Sequence, residues 1–516
     1  MSRYLDAAKA AVQTLLEKQS VHWGGNPDGP LCITASQVSC KAFRTIGGRS
    51  NSKQISFPFP KPAMEDQPYR LDISFWPVMT LLSEVSGDPV YQQYVHDMAK
   101  AFVPVGFEPL SGLGYFGEMA DFDAIRLEPL SVYPGEACFK PTDDIPLGIL
   151  WNAAPEAMAR MFRSMFYGLI QRPETMEYNR FCEYDYDDSA KKPCRIFRSN
   201  HCATAYAGAY MMQWWGFYFA HSGDTECIGW AQAIANKWQK VQHPVSGLVP
   251  CWFGDDLLDG DVMPPRPFTN NWDGKSAVWF LRAADEWKKM PEGQTLAAQL
   301  EDMALKLITG MAKYGYDAES RTFPQWINVD GSAIRHTTWY TYYSKGERDK
   351  AAEKDPLLNE VDVFAGSGFY QSIRPWILEG GNPLPYNITY CAKRTGDPYL
   401  IDRAREFAVI IMEESRKLTG EFNGEDQWSY PANASYIKMM ILLFEMTAES
   451  RYLDWACELA DLELKQLTRP LPPETPEWWR MYFRGAWIES LMLLHRAITQ
   501  SEIRLPAGKS DFAVAT

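Results

Sequence analysis

Four stretches of this 516-residue chain repeat one short pattern: SGDPVYQQYV at 86–95, SGDTECIGWA at 222–231, TGDPYLIDRA at 395–404 and TAESRYLDWA at 447–456. Each begins with a small or polar residue and runs into a helical segment with a small or apolar residue at one shared offset: Val95, Ala231, Ala404 and Ala456. The Gly-Asp pair reads as a helix stop followed by a cap. Glycine accepts the left-handed backbone at a helix C-terminus, and the carboxylate accepts the orphan N–H groups of the next N-terminus. Past the turns, Leu400, Ala404, Phe407, Ala408 and Ile411 recur at helical spacing, as do Leu453, Ala456, Ala460 and Leu464. Further helical segments lie upstream, at 71–84, 204–220, 383–394 and 433–446. The repeating unit is an αα-hairpin, with loop-rich insertions between copies.

Such hairpins stack as an open solenoid or close into a ring. The spacing here is irregular and the insertions are rich in Trp, Asp, Pro and Gly, unlike the even periods of common solenoids. The expected fold is therefore all-α dominated, an α/α toroid of about six to seven hairpins. Its long loops, at 21–70, 104–146, 177–200, 244–275, 318–382 and 418–432, would build a site at one rim. Residues 1–502 read as a single toroid domain and 503–516 as a flexible tail.

Composition narrows the partners. Fifty-one basic against 65 acidic residues leave a net charge of −14 without long like-charge blocks, which excludes nucleic acid or an anionic membrane as the main partner. No apolar run approaches the roughly 20 residues of a membrane span. Ten irregularly spaced cysteines, without a CxxC pair or a leader ahead of Tyr4, predict reduced thiols and a cytoplasmic location. Nineteen tryptophans and 26 tyrosines are the kind of rings that line a saccharide groove. Oligomeric state is not legible in the sequence.

No phosphate loop, HExxH, nucleophile elbow or zinc cysteine set is present. The chemistry-bearing residues sit in the loops. One group holds Asn179, Arg180, Tyr184, Arg195, Arg198 and His201, where guanidinium groups suit carboxylate recognition or the neighbouring Asp185, Asp187 and Asp188 form a salt-bridged loop. A second places Trp252 beside Asp255 and Asp256, a stacking ring next to acids. A third, Arg335, His336, Trp339 and Tyr340, joins a titratable imidazole to a cation in an aromatic loop. Glu425, Asp426, Trp428 and Tyr430 precede an inner-helix segment.

The opening YLDAAKAAVQTLLEK, the block LGILWNAAPEAMARMFRSMFYGLI with EYNRF after it, HPVSGLVP and the turn TGDPYLIDRA together resemble the family 2 polysaccharide lyases. Those are intracellular exo-acting pectate lyases on an α/α toroid, and the resemblance spans most of residues 1–500. It implies that Arg180 occupies the place of the family's Brønsted base. It also implies a divalent metal, yet Phe181, Met119 and Phe139 stand at the three ligand positions, and none offers an oxygen or imidazole donor. No cofactor is therefore expected.

The leading expectation is an oligosaccharide or polysaccharide lyase that cleaves a uronic-acid-containing glycan by β-elimination without the family metal. Arg180, His201, Tyr184 and His336 would be its catalytic candidates. Asn179, Arg195, Arg198, Trp252, Asp255, Arg335, Trp339, Glu425 and Trp428 would bind substrate. Alternatives are an inverting glycoside hydrolase using two acids among Asp255, Asp256, Asp273 and Glu425, an epimerase pairing His201 with His336, and a non-catalytic saccharide-binding homologue.

Overall fold

The structure is a computed structural model that describes residues 3–18, 20–35, 70–71, 73, 75–115, 122–129, 146–172, 176–178, 186–187, 191–192, 205–249, 268–270, 273–316, 318, 322–324, 326–332, 370–372, 384–421, 434–467 and 484–504. Among the described residues are fourteen α-helices: α1 (Arg3–Lys18), α2 (Phe75–Ser86), α3 (Val90–Phe102), α4 (Leu147–Ala153), α5 (Pro155–Tyr167), α6 (Ala205–Ser222), α7 (Glu226–Val241), α8 (Asp273–Trp287), α9 (Gln294–Tyr314), α10 (Leu384–Thr395), α11 (Pro398–Glu421), α12 (Ala434–Thr447), α13 (Ser450–Leu467) and α14 (Arg484–Arg504). None of them is long and apolar enough to cross a membrane.

The even-numbered helices form the inner ring. Helix α6 packs on α8, α8 on α10, α10 on α12, α12 on α14, and α14 on α2. On the remaining arc the outer helix α3 packs on both α2 and α4. Trp151 of α4 then meets Phe217, Tyr218 and His221 of α6, with ring centroids 6.1, 6.0 and 5.5 Å apart. The odd-numbered helices lie outside. Each of α3, α5, α7, α9, α11 and α13 packs on the inner helix that precedes it, in α11's case α10, and α1 packs on α14 to join the two ends of the chain. Arg3 and Tyr4 also tie α1 to the outer helix α13 through hydrogen bonds to Asp461 at 2.6 and 3.0 Å. The chain is an α/α toroid, and its described helices pair into seven hairpins.

Inner helices such as α6 and α12 are apolar on nearly every face, as helices covered on both sides must be. Large rings bind neighbouring hairpins together. Trp215 of α6 donates its indole N–H to Phe162 O of α5 at 3.0 Å, and Trp287 of α8 donates to Met212 O of α6 at 2.9 Å. Both side chains are fully buried, so each contributes a large apolar area with its one polar atom satisfied.

Connections from an inner helix to the next outer one are short: 87–89, 154, 223–225, 288–293, 396–397 and 448–449. The repeated motif supplies four of these with one hydrogen-bond pattern. Ser86, Ser222, Thr395 and Thr447 each donate a hydroxyl to the carbonyl four residues back and accept the N–H two residues ahead. The intervening residue is left-handed in every case: Gly87, Gly223 and Gly396 at φ of 71, 70 and 71°, and Ala448 at 56°. Asp88, Asp224 and Asp397 then accept the first N–H groups of α3, α7 and α11. Val95, Ala231, Ala404 and Ala456, which share the offset, are all fully buried.

Connections from an outer to an inner helix are long: 19–74, 103–146, 168–204, 242–272, 315–383, 422–433 and 468–483. Every described strand lies in them. Strands β1 (Ser20–His22), β2 (Leu31–Ala35), β3 (Arg70–Leu71), β4 (Phe122–Asp123) and β5 (Glu128–Pro129) form one antiparallel sheet. The remaining strands make antiparallel pairs: β6 (Ile170–Arg172) with β7 (Glu177–Tyr178), β8 (Phe268–Asn270) with β10 (Trp326–Asn328), and β9 (Thr322–Pro324) with β11 (Tyr370–Ser372). Because helices alternate in and out around the ring, the inner helices run parallel and all the long connections begin and end at the rim carrying their N-termini.

Three expected boundaries need correction. The loop at 244–275 ends sooner, because α8 begins at Asp273, and the loop at 418–432 starts later, because α11 continues to Glu421. Helix α14 runs to Arg504, two residues into the segment read as a tail; residues 505–516 lie outside the described residues.

Candidate functional site

An inner helix is covered by outer helices on its back and by ring neighbours on its flanks. The side chains that keep solvent access along its middle therefore point into the lumen. On α10 these are Tyr386 and Tyr390, on α12 Lys438 and Leu442, on α14 Glu489 and Leu493, and on α8 Lys275 and Arg282. Each pair follows helical spacing, so the partly accessible residues trace one stripe per helix. Of the polar members, Lys275, Tyr386, Lys438 and Glu489 lie in the first two turns, at the long-connection rim, and Arg282 lies in the third turn of α8.

Four of these helices converge on Tyr386. Lys438 Nζ of α12 sits 5.9 Å from the Tyr386 ring centroid and pairs with Glu489 of α14 at 2.5 Å. Tyr390, one turn below, is 6.4 Å from Tyr386, and Arg282 of α8 stands 5.6 Å from the Tyr390 centroid. Further round the ring, Lys275 lies 4.9 Å over Trp279, which meets Tyr210 of α6 at 5.5 Å. Cations at these distances favour aromatic faces. Burial pushes the Tyr386 phenol up to about 12, although Lys438 and Arg282 pull it back and Glu489 adds to the rise. At neutral pH the hydroxyl therefore keeps its proton and can donate a hydrogen bond.

The charge of this wall opposes that of the chain. Among the described stripe residues of α8, α10, α12 and α14, three cations, Lys275, Arg282 and Lys438, stand with one carboxylate, Glu489, in a protein of net charge −14. Inner-helix N-termini add partial positive charge at the same rim. Such a surface favours an anionic ligand that also offers a flat face to aromatic rings. A sugar acid has both features.

The opposite rim is different in kind. Its charges are matched and solvent-facing: Arg394 with Asp285, Lys393 with Glu445, Lys288 with Glu301, Arg405 and Arg451 with Glu449. Exposed pairs of this sort neutralise a surface and leave little to recognise a ligand.

The site residues expected from sequence, Asn179, Arg180, Tyr184, Arg195, Arg198, His201, Trp252, Asp255, Arg335, His336, Trp339, Glu425 and Trp428, lie outside the described residues, as do Met119, Phe139 and Phe181. In chain order they belong to long connections whose described ends meet the lumen rim. Sequence reasoning missed Lys275, Arg282, Tyr386, Lys438 and Glu489. A signal was present for two of them: Lys438 interrupts the apolar run YIKMMILL, and Glu489 interrupts AWIESLMLL. A charge inside a helix that is otherwise apolar all round must face a lumen or find a partner.

No family model matches the chain. It is similar to an unsaturated glucuronyl hydrolase specific for heparin, at 11% identity over 97% of this chain and 96% of that one, with a TM-score of 0.37. It is similar to a family 76 glycoside hydrolase from a bovine Bacteroides thetaiotaomicron strain, at 10% identity over 97% and 78%, with a TM-score of 0.41. A cellobiose 2-epimerase from Spirochaeta thermophila is similar at 10% identity over 97% and 98%, with a TM-score of 0.42. Similarities this distant carry no argument about chemistry, and the toroid rests on the contacts of its own helices.

Proposed function

We propose that this protein is a saccharide-processing enzyme, a lyase that cleaves a uronic-acid-containing oligosaccharide or polysaccharide by β-elimination. The observation that carries the reading is the cationic and aromatic lumen wall of Lys275, Arg282, Tyr386, Tyr390 and Lys438 in an acidic chain. Elimination across C4–C5 of a uronate needs the C6 carboxylate neutralised, so that the C5 proton becomes acidic. A base then takes that proton, the C4–O4 bond breaks as the C4–C5 double bond forms, and the departing oxygen receives a proton.

Lumen cations would do the neutralising. Arg180, His201, Tyr184 and His336 are the candidates for the proton transfers. An isolated arginine is a poor base, with a pKa above about 12, so Arg180 is better suited to holding the carboxylate while a histidine or Tyr184 takes the proton. The metal of the resembled family does not fit this chain: a thioether and two phenyl rings at Met119, Phe139 and Phe181 cannot hold a hard divalent cation.

Hydrolysis is the second reading, favoured by Glu489 in the lumen. It would require a second carboxyl at about 6.5–9.5 Å for an inverting reaction, supplied by Asp255, Asp256, Asp273 or Glu425. Ultraviolet absorbance on a panel of uronate oligosaccharides, with and without chelator, separates the readings. The lyase produces a chelator-insensitive rise from the new double bond. New reducing ends without absorbance would overturn it in favour of hydrolysis, and binding without either product would leave a saccharide-binding protein.

A further inference from the structure

Residues on the inner helices provide a site that does not depend on the long connections. Tyr386 and Tyr390 place two rings 6.4 Å apart along one helix face, with Lys438 against the upper ring and Arg282 against the lower. Behind the wall, two polar atoms are buried. Asn387 Nδ2 and Ser276 Oγ, on the residues after Tyr386 and Lys275, are buried without a hydrogen-bond partner. Asn387 and Leu384 pack against the start of α8, where a Cβ on Gly274 would stand 2.9 Å from Leu384 Cδ1, so the glycine is what lets α10 approach.

We propose that Tyr386, Tyr390, Arg282 and Lys438 form a uronate-binding subsite on the lumen wall. The sugar ring lies along the two tyrosines and its carboxylate is held by the flanking cations. Glu489 pairs with Lys438, fixing the ammonium against the Tyr386 ring, and is a positioning residue. The subsite rests on the reading of the protein as a uronate enzyme but concerns binding, so it can fail separately.

The test is isothermal titration calorimetry of the full chain with trigalacturonate and with triglucuronate, against the neutral trisaccharide maltotriose. Native protein, Arg282→Gln, and the double variant Lys438→Gln/Glu489→Gln, which removes the ion pair as a unit, are compared, with circular dichroism melting to confirm folding. The subsite predicts that a uronate binds more tightly than maltotriose. It predicts that Arg282→Gln weakens uronate binding by about tenfold or more while leaving maltotriose affinity unchanged, and that raising salt from 50 to 300 mM weakens the native protein more than Arg282→Gln.

If both folded variants bind uronates as the native protein does, the subsite is overturned. Should the native protein eliminate uronates all the same, the enzyme reading survives that failure. Uronate binding lost in the variants, with no double bond formed by the native protein on any substrate, would keep the subsite and overturn the lyase. No uronate binding by the native protein overturns both.

Discussion

The two rims of the toroid are built from the same helices and differ in almost everything else. At one rim each turn takes one to six residues, four of them share a single hydrogen-bond pattern, and the charges are paired in solvent. At the other, connections reach from 19 to 74 and from 315 to 383, the pairs β3–β4 and β8–β10 tie neighbouring connections together, and lysine, arginine and tyrosine face inward. The difference teaches how a closed ring divides its work. Turns that repeat one solution hold the hairpins in phase, which frees the other rim to carry chemistry without endangering the fold.

That division can be broken from either side. The largest effect should come from the framework both rims share: Trp287→Ala removes a fully buried indole and its bond to Met212 O, and is expected to cost about 4 kcal/mol in urea unfolding. At the short-turn rim, Gly396→Val forces a β-branched residue to the left-handed φ of 71° and should cost about 2 kcal/mol while leaving saccharide affinity of the folded protein unchanged.

At the lumen rim, Lys438→Met should cost about 1–2 kcal/mol more than Lys438→Met/Glu489→Leu, because the single change strands a carboxylate whose side chain is only 29% exposed. A double-mutant cycle measures the difference.

The raised Tyr386 pKa supplies a pH test. A phenol with a folded pKa of about 12 against an ordinary value of 10 contributes stability that is fully present below pH 10 and is lost as pH rises from 10 to 12. Tyr386→Phe should therefore lose less stability than the native protein between those values in parallel urea titrations. The smallest effect expected is a gain: Ala448→Gly relieves the one non-glycine in the four repeated turns, at φ of 56°, and should stabilise by about 0.5–1 kcal/mol.

The short-turn rim was legible in the sequence because its chemistry is local. A hydroxyl, a left-handed residue and an acid within four positions make the turn, and the pattern held even where Ala448 replaces glycine. The helices flanking it followed from apolar spacing, as at Leu400, Ala404, Phe407 and Ala408, all fully buried. The lumen was not legible in the same way. Tyr386, Lys438, Glu489 and Arg282 are far apart in the chain and meet only because α8, α10, α12 and α14 stand side by side in the ring. Loop residues such as Arg180, Trp252 and His336 drew attention by density of charge and aromatics, a local signal, whereas a lone lysine in α12 carries meaning only once that helix is known to be an inner one.

The central claim is that ligand binds at the rim of the inner-helix N-termini. Hydrogen–deuterium exchange of the full chain with and without saturating trigalacturonate tests it most directly. Ligand bound there adds protection in the first three turns of α8 and the first two turns of α10, α12 and α14, with the turns at 87–89, 223–225, 396–397 and 448–449 unchanged. Protection confined to those short turns, or none at any inner helix, would contradict it.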